Sequence, residues 1–130
     1  VAFEADCVMD PWYSLGNADM LEVAAMGLHV AQLSAPDDMR WCFDAVTEIP
    51  ARIMGLEGYG LAEGARADMV LLQAADPVEA IRMKATRLAV IRAGRPIAET
   101  PARVACLDME GRPRAVDPAD YAPRAAADAS

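Results

Sequence analysis

Asp6 is the first residue of the chain whose type and position could do chemistry. It follows the apolar run Val1–Ala5, which is typical of a buried strand that carries a carboxylate at its C-terminal end. A carboxylate in that place can bind a divalent cation or accept a proton from a bound water. An aspartate that ends a strand is also common as an ordinary solvated residue, so the residue type alone leaves both interpretations open.

Metal ligands other than carboxylates are scarce in this sequence. His29 is the only histidine, and one histidine does not complete a zinc site, which needs three or four ligands. We therefore expect a structural role for His29 within its helix. Cys7, Cys42 and Cys106 have no CxxC spacing, so they indicate neither a thiolate zinc site nor a disulfide framework, and they fit a reducing cytoplasm.

Helices are predicted after the N-terminal segment. Asp10 and Pro11 begin a loop, in which a side-chain oxygen of Asp10 is expected to accept hydrogen bonds from nearby backbone N–H groups. Apolar residues at helical spacing predict a helix over Met20–Leu33, with Asn17 as its N-cap. Two further helices are predicted, from Pro36 to about Thr47 and from Pro50 through Met54.

Short strands dominate the second half of the chain. After a glycine-rich loop, strands are predicted over Met69–Leu72, Leu88–Ile91, Pro96–Ala98 and Val104–Leu107. Pro77–Met83 is predicted to form one or two helical turns, and Ala93–Pro96 a turn. Residues from 109 to 130 are rich in Ala, Pro, Arg and Asp without any period, which predicts a disordered tail.

The first part of the chain offers a single strand, and one strand cannot form a sheet by itself. We therefore expect this part to pack against residues that the sequence does not contain. The chain also starts at Val1, in the middle of the predicted strand and without an initiator Met. Both observations predict that the sequence is a truncated piece of a longer protein.

The charge of the chain excludes two classes of partner. The formal net charge is −8, whereas nucleic-acid binding needs clustered Lys and Arg to displace counterions from phosphates. The same excess of acid argues against an anionic membrane surface. No segment approaches the roughly 18 apolar residues of a membrane span, and a secretory leader is not evident, so a cytoplasmic location is expected.

Several segments in collinear order, covering about residues 1–107, carry a resemblance to a known family. They are Val-Ala-Phe-Glu-Ala-Asp6-Cys-Val-Met-Asp10-Pro-Trp12-Tyr-Ser-Leu-Gly16, then Met26-Gly-Leu-His-Val-Ala-Gln-Leu33, Gly64-Ala-Arg-Ala-Asp68-Met-Val-Leu-Leu72 and Arg92-Ala-Gly-Arg-Pro-Ile97. The chain resembles the C-terminal piece of cytosine deaminase-like metal-dependent amidohydrolases. The segment over 64–72 is shared by very many amidohydrolases, whereas the loop after Asp6 and the 26–33 segment point to the cytosine deaminase branch.

The resemblance implies an α/β fold with two parts. Residues 1–58 would be the end of a (β/α)8 TIM barrel, with its last strand, a metal-ligand loop and helices. Residues 59–108 would be the C-terminal portion of the small β-sandwich domain of amidohydrolases. A homo-oligomer is implied for the full-length protein, with a small amino-heterocycle as substrate.

The resemblance also implies roles for individual residues. Asp6 would be both a ligand of the catalytic metal and the group that handles the proton of the attacking water, and Trp12 would line the pocket or plug the barrel rim. One divalent ion, Fe or Zn, is implied, and its other ligands are absent from this chain. Cys7 stands where this family commonly has a second acidic residue near the substrate, which puts cytosine itself in doubt.

Two classes of function remain open from the sequence. In the first, the parent protein deaminates cytosine or a related amino-heterocycle with release of ammonia, or acts on N-substituted triazines, and the isolated chain is inactive. In the second, the chain is a non-catalytic remnant whose exposed helix faces seek a partner.

Overall fold

The computed structural model describes residues 1–116, which form four helices and five short strands. The helices are α1 (Met20–Val30), α2 (Pro36–Asp44), α3 (Glu48–Ile53) and α4 (Pro77–Met83). The strands are β1 (Met69–Leu72), β2 (Arg87–Arg92), β3 (Arg95–Glu99), β4 (Ala105–Cys106) and β5 (Ala115–Val116). The described part of the chain is thus a small α/β structure, and residues 117–130 of the predicted tail lie outside it.

The strands form two antiparallel sheets. The larger sheet has the order β1-β2-β3, and the smaller one pairs β4 with β5. The two-residue turn between β2 and β3 places Ala93 and Gly94 at positive φ values of 48° and 75°, as a type I′ turn requires. Asp68 supports this turn, because its carboxylate accepts a hydrogen bond of 2.6 Å from the Ala93 N–H.

The hydrophobic core lies between three helices. Its buried residues come from α1, α2, α4 and the residues just after α4: Leu21, Ala24, Cys42, Ala80, Ile81 and Ala85. Most of these side chains are small, so the helices approach closely without large interlocking side chains. Because α4 belongs to the second half of the sequence, the two halves share one core.

A charged pair joins the helices to the larger sheet. The Arg87 guanidinium on β2 donates to both carboxylate oxygens of Asp19, over 2.9 Å and 2.6 Å. Asp19 is the N-cap of α1, and its side chain also accepts from the Leu21 N–H over 2.8 Å. This bidentate pair therefore fixes the start of α1 against β2.

Three local predictions need correction. Val1–Ala5 is not a strand, because no strand of residues 1–116 lies beside it to complete the hydrogen bonds, and the Phe3 N–H instead donates to the Ala45 carbonyl over 2.9 Å. The cap of α1 is Asp19 and not Asn17, whose side chain accepts from the Asp19 N–H. The third helix begins at Glu48, so Pro50 lies in the first turn, where a missing N–H leaves no bond unmade.

Other predicted elements are confirmed. The strands at Met69–Leu72 and around Leu88–Ile91 and the helix at Pro77–Met83 occur where the apolar runs and Pro77 predict them. The first two helices end three residues earlier than predicted, at Val30 and Asp44. Within residues 1–116, no helix combines the length and the apolar character that crossing a membrane requires.

Candidate functional site

The N-terminal segment and α1 enclose an open concavity of about 600 Å³. Three predicted site residues, Asp6, Cys7 and Trp12, all line it. Its opposite wall is the face of α1 that carries Val23, Met26 and other apolar residues. The structure therefore brings the predicted site residues together on one side of a single surface depression.

Phe3 anchors the segment from which Asp6 extends. Besides the backbone hydrogen bond to Ala45, its ring meets the Trp41 ring edge to face, with centroids 5.6 Å apart and planes at 89°. The ring also presses on Gly27 of α1, where an added Cβ would lie 2.3 Å from a ring carbon of Phe3. Glycine at position 27 is therefore what allows the N-terminal segment to lie so close to the helix.

Asp6 lies three residues beyond this anchor and is exposed. The concavity is also lined by the acidic residues Glu4, Asp19 and Glu22, of which Asp19 is paired with Arg87. No Lys, Arg or His is among the residues that line it in the described part of the chain. The site thus disfavours anions and suits a cation or a neutral ligand that presents N–H groups.

Asp10 organises the loop between Cys7 and Gly16, which we call the site loop. Its Oδ1 atom accepts hydrogen bonds from the backbone N–H groups of Trp12 and Tyr13, each over 2.9 Å. This confirms the predicted role of Asp10 in the loop. The Cys7 thiol and these N–H groups lower the pKa of the Asp10 carboxyl, because all of them stabilise its ionised form.

Cys7 is a neutral thiol in this environment. A hydrogen bond with Asp10, partial desolvation and the nearby charges of Asp10 and Asp6 raise the pKa of Cys7 to about 12. Without a bound metal, the thiol therefore keeps its proton at neutral pH and can act as a weak hydrogen-bond donor. This distinguishes it from an acidic side chain at the same position.

The site loop closes on itself at Gly16. This glycine is buried, its N–H donates to the Tyr13 carbonyl over 3.3 Å, and a Cβ there would meet the Cys7 carbonyl oxygen at 2.4 Å. The two ends of the loop are thus in direct contact. Trp12 projects from the middle of the loop with 89% of its surface exposed, and it lies at the rim of the concavity.

Sequence reasoning did not identify Asp19 and Glu22 as residues of this concavity. The Asn17 amide hydrogen bonds to the Glu22 carboxylate, and Asp19 is held by Arg87, so both acidic residues have fixed partners at the start of α1. An acidic residue in the first turn of a helix is a recognisable signal for capping. The partner Arg87 gives no such signal, because it lies 68 residues from Asp19.

The described residues do not fit a complete metal centre. Across residues 1–116, no three side chains of His, Cys, Asp or Glu converge in a way that could hold an ion. Asp6 and the neighbouring Cys7 are at most two donors, fewer than the three or four protein ligands that a zinc site needs. His29 lies elsewhere, exposed near the end of α1, where it lines a different concavity.

Comparison with known proteins places this arrangement in context. N-isopropylammelide isopropyl amidohydrolase of Pseudomonas sp. (strain ADP) is 35% identical over 92 residues, which are 70% of this chain and 23% of that protein. The structure of 5-methylcytosine deaminase from Klebsiella pneumoniae with 5-fluorocytosine matches with a TM-score of 0.74 and 39% identity, covering 78% of this chain and 25% of that one. N-isopropylammelide isopropylaminohydrolase from Burkholderia multivorans ATCC 17616 matches with a TM-score of 0.68 and 35% identity, over 73% and 24% of the two chains.

The chain thus spans about a quarter of the length of the relatives it matches. The Amidohydrolase family model matches residues 1–100, which include the N-terminal segment, the site loop, all four helices and the larger sheet. The match confirms the resemblance that the sequence carries: this chain belongs to the amidohydrolase family.

Proposed function

We propose that the protein to which this chain belongs removes an amino group from an amino-heterocycle by hydrolysis, with cytosine or 5-methylcytosine as the first candidate substrates. The observation that carries the proposal is the meeting of Asp6, Cys7 and Trp12 in one concavity. The 39% identity to 5-methylcytosine deaminase over 78% of the chain supports the substrate class.

The reaction adds one water and releases one ammonia. The water oxygen bonds to the ring carbon that bears the exocyclic amine, the bond from that carbon to the amine nitrogen breaks, and the amine leaves as ammonia after gaining a proton. Asp6 is the residue that we assign to accept the proton of the attacking water. Its exposed carboxylate is the group in this concavity that directly follows the anchored N-terminal segment.

We assign to Asp6 a second role as one ligand of a divalent ion, Fe or Zn. Such an ion, when bound, supplies a water that ionises near neutral pH. The other ligands of a site with about four would have to come from outside residues 1–116. We further assign residues 1–58 to the end of a (β/α)8 barrel, in which Val1–Ala5 would gain the neighbouring strand that residues 1–116 do not provide, and residues 59–108 to a small β-sandwich.

Trp12 and Cys7 are the residues that we assign to substrate recognition. The exposed indole of Trp12 is a rigid face on which a planar ring can stack at the rim. The protonated Cys7 thiol is a weak donor, so it favours a ring atom that accepts a hydrogen bond. The acidic lining around both residues suits the N–H groups of an amino-heterocycle.

An N-alkylated substrate is the second candidate. Two relatives at 35% identity are named for N-isopropylammelide, and Cys7 provides a less polar contact than an acidic side chain would. A substrate with an alkyl group on the exocyclic nitrogen tolerates such a contact better than the free amine of cytosine does. The same hydrolysis would then release the alkylamine in place of ammonia.

A substrate panel tests the proposal. The longest product of the reading frame that contains this chain is loaded with Zn or Fe and incubated with cytosine, 5-methylcytosine and N-isopropylammelide, and the released ammonia or alkylamine is measured. Release from a pyrimidine supports the first candidate, and release from N-isopropylammelide alone supports the second. No release from any of them would contradict the proposal and leave the chain as a non-catalytic fragment. The isolated 130-residue chain, assayed in parallel, is expected to be inactive.

A further inference from the structure

Trp12 depends on its backbone for its position. Its side chain is 89% exposed, so side-chain packing within residues 1–116 contributes little to holding the indole at the rim of the concavity. A rigid loop backbone fixes the point from which an unpacked aromatic side chain projects and so limits the region that the ring can sample, whereas a mobile loop does not. The geometry of this part of the site is therefore decided by whatever fixes the backbone around residue 12.

The Asp10 carboxylate fixes that backbone. A single oxygen, Oδ1, accepts both the Trp12 N–H and the Tyr13 N–H over 2.9 Å. Pro11 has no N–H to compete for this oxygen, and it restricts its own φ angle between the acceptor and the two donors. Met9, just before Asp10, adopts a positive φ of 52°, an unfavourable conformation for a non-glycine residue that needs support from its surroundings.

Asp10 is not among the residues that line the concavity, whereas Trp12 and Tyr13, whose backbone N–H groups donate to it, and Cys7, whose thiol is its other partner, all line it. Asp10 is a partly exposed residue of the site loop itself. It therefore reaches a ligand in the concavity through the residues it holds and not by direct contact.

We propose that Asp10 is a positioning residue, which sets the affinity of the site for a planar ligand by holding the backbone of Trp12 and Tyr13 at the rim. The inference rests on the proposed function in that it takes the concavity as the substrate site. We assign this role to the acceptor oxygen of Asp10 more than to its charge, because the single Oδ1 atom accepts both the Trp12 and the Tyr13 N–H. Asn, which keeps an Oδ1 atom, should then substitute for Asp10 far better than Ala.

Fluorine NMR of the 130-residue chain labelled with 5-fluorotryptophan tests the structural step. The chain has two tryptophans, and Trp41, which packs against Phe3, reports whether the fold is intact. Because the Trp12 indole is already 89% exposed, the readout is the linewidth of its resonance. Asp10→Ala is expected to narrow the Trp12 resonance as the loop becomes mobile, with the Trp41 resonance unchanged. Asp10→Asn should retain most of the wild-type linewidth. Ser14→Ala, at an exposed residue of the same loop, should change neither resonance.

An unchanged Trp12 resonance in Asp10→Ala would overturn the inference. If Asp10→Ala also changes the Trp41 resonance, the variant has lost its fold. The Trp12 resonance of Asp10→Asn is then compared with that of Ser14→Ala, and equal resonances would support the acceptor role of the Asp10 oxygen. A Trp12 resonance that is as narrow in Asp10→Asn as in Asp10→Ala, with the Trp41 resonance unchanged, would show that the oxygen acceptor does not hold the loop.

Kinetics of the longest reading-frame product test the link to affinity. Losing two hydrogen bonds that order the loop is expected to raise KM about tenfold in Asp10→Ala, with a smaller change in kcat and recovery in Asp10→Asn. Unchanged KM with an altered Trp12 resonance would contradict the link. Absence of activity in the wild-type protein would contradict the proposed function, while the NMR result would still decide the role of Asp10 in the loop.

Discussion

The pair between Asp19 and Arg87 makes a quantitative prediction about what holds the helices to the sheet. Its two hydrogen bonds, 2.9 Å and 2.6 Å, form a fork between partly buried side chains with exposures of 23% for Asp19 and 38% for Arg87. Exposed ion pairs contribute about 0.2–1 kcal/mol, and hydrogen bonds to charged groups about 1.5–3 kcal/mol. Allowing for solvent screening, we expect a coupling energy of about 1–2 kcal/mol.

A double-mutant cycle measures this coupling. Urea unfolding followed by circular dichroism gives the free energy of unfolding of the wild type, Asp19→Ala, Arg87→Met and the double variant. Arg87→Met should cost about 1–2 kcal/mol, and Asp19→Ala about 2–3 kcal/mol because it also removes the cap of α1. The cap cancels in the cycle, since it is lost with Asp19 whether or not Arg87 is present.

A matched control comes from the pair between Glu79 and Arg82, which lies on one helix with 3.6 Å between its closest charged atoms. Its coupling should be about 0.2–0.5 kcal/mol, as for other helix pairs at this spacing. A coupling between Asp19 and Arg87 no larger than that of the control would refute the reasoning.

The pH dependence of stability provides a separate check of the same pair. Arg87 lowers the pKa of Asp19 in the folded chain below its unfolded value of about 3.9. The contribution is therefore present above that unfolded pKa and is lost as pH falls through the lower, folded pKa. Arg87→Met should remove this part of the acid dependence, which is measured by urea unfolding at a series of pH values below 5.

Two further predictions concern the N-terminal segment and the site loop. Gly27→Ala should destabilise the chain by about 1–3 kcal/mol in urea unfolding, because its Cβ would lie 2.3 Å from the Phe3 ring. Adding Phe3→Leu to Gly27→Ala should recover part of that loss. Equal stability of Gly27→Ala and wild type would show that Phe3 does not press on the helix. Cys7 should react with iodoacetamide at pH 8 far more slowly than an ordinary thiol, because its pKa is about 12, and Asp10→Asn should accelerate the reaction. The labelling rate is measured by peptide mapping with mass spectrometry after timed labelling. Rapid labelling of Cys7 in the wild type would contradict this prediction.

The sequence predicted the helices and strands well where residues within a few positions of one another determine them. The run Met69–Leu72 forms β1 with the predicted bounds, and Pro77 begins α4, because apolar runs and a proline in the first helical turn act within a few residues. The segment Val1–Ala5 has the composition of a strand, but a strand needs hydrogen bonds from neighbours, and residues 1–116 provide none beside it. The strand β5 was not predicted, since its two residues carry no pattern.

The sequence predicted the part of the candidate site that depends on a local pattern and missed the part that depends on distant segments. Asp6, Cys7 and Trp12 lie within one stretch of seven residues, so their position in one concavity depends on a short loop. The Asp10–Pro11 pair in the sequence predicts a turn in that loop. The wall formed by α1 and the contact between Asp19 and Arg87 depend on how distant segments pack. No local pattern encodes a pair separated by 68 residues.

The most direct test of the central claim is the rate of amine release when Asp6 is changed. The longest product of the reading frame is assayed with the substrate that it prefers, as wild type, as Asp6→Asn and as Glu57→Gln, which alters an exposed acidic residue outside the concavity. We predict that Asp6→Asn lowers kcat by at least about a thousandfold, since a group assigned to proton transfer alone contributes roughly a hundred- to ten-thousandfold, and that Glu57→Gln has no effect. A rate for Asp6→Asn within a few fold of the wild type would contradict the assignment of this concavity as the active site.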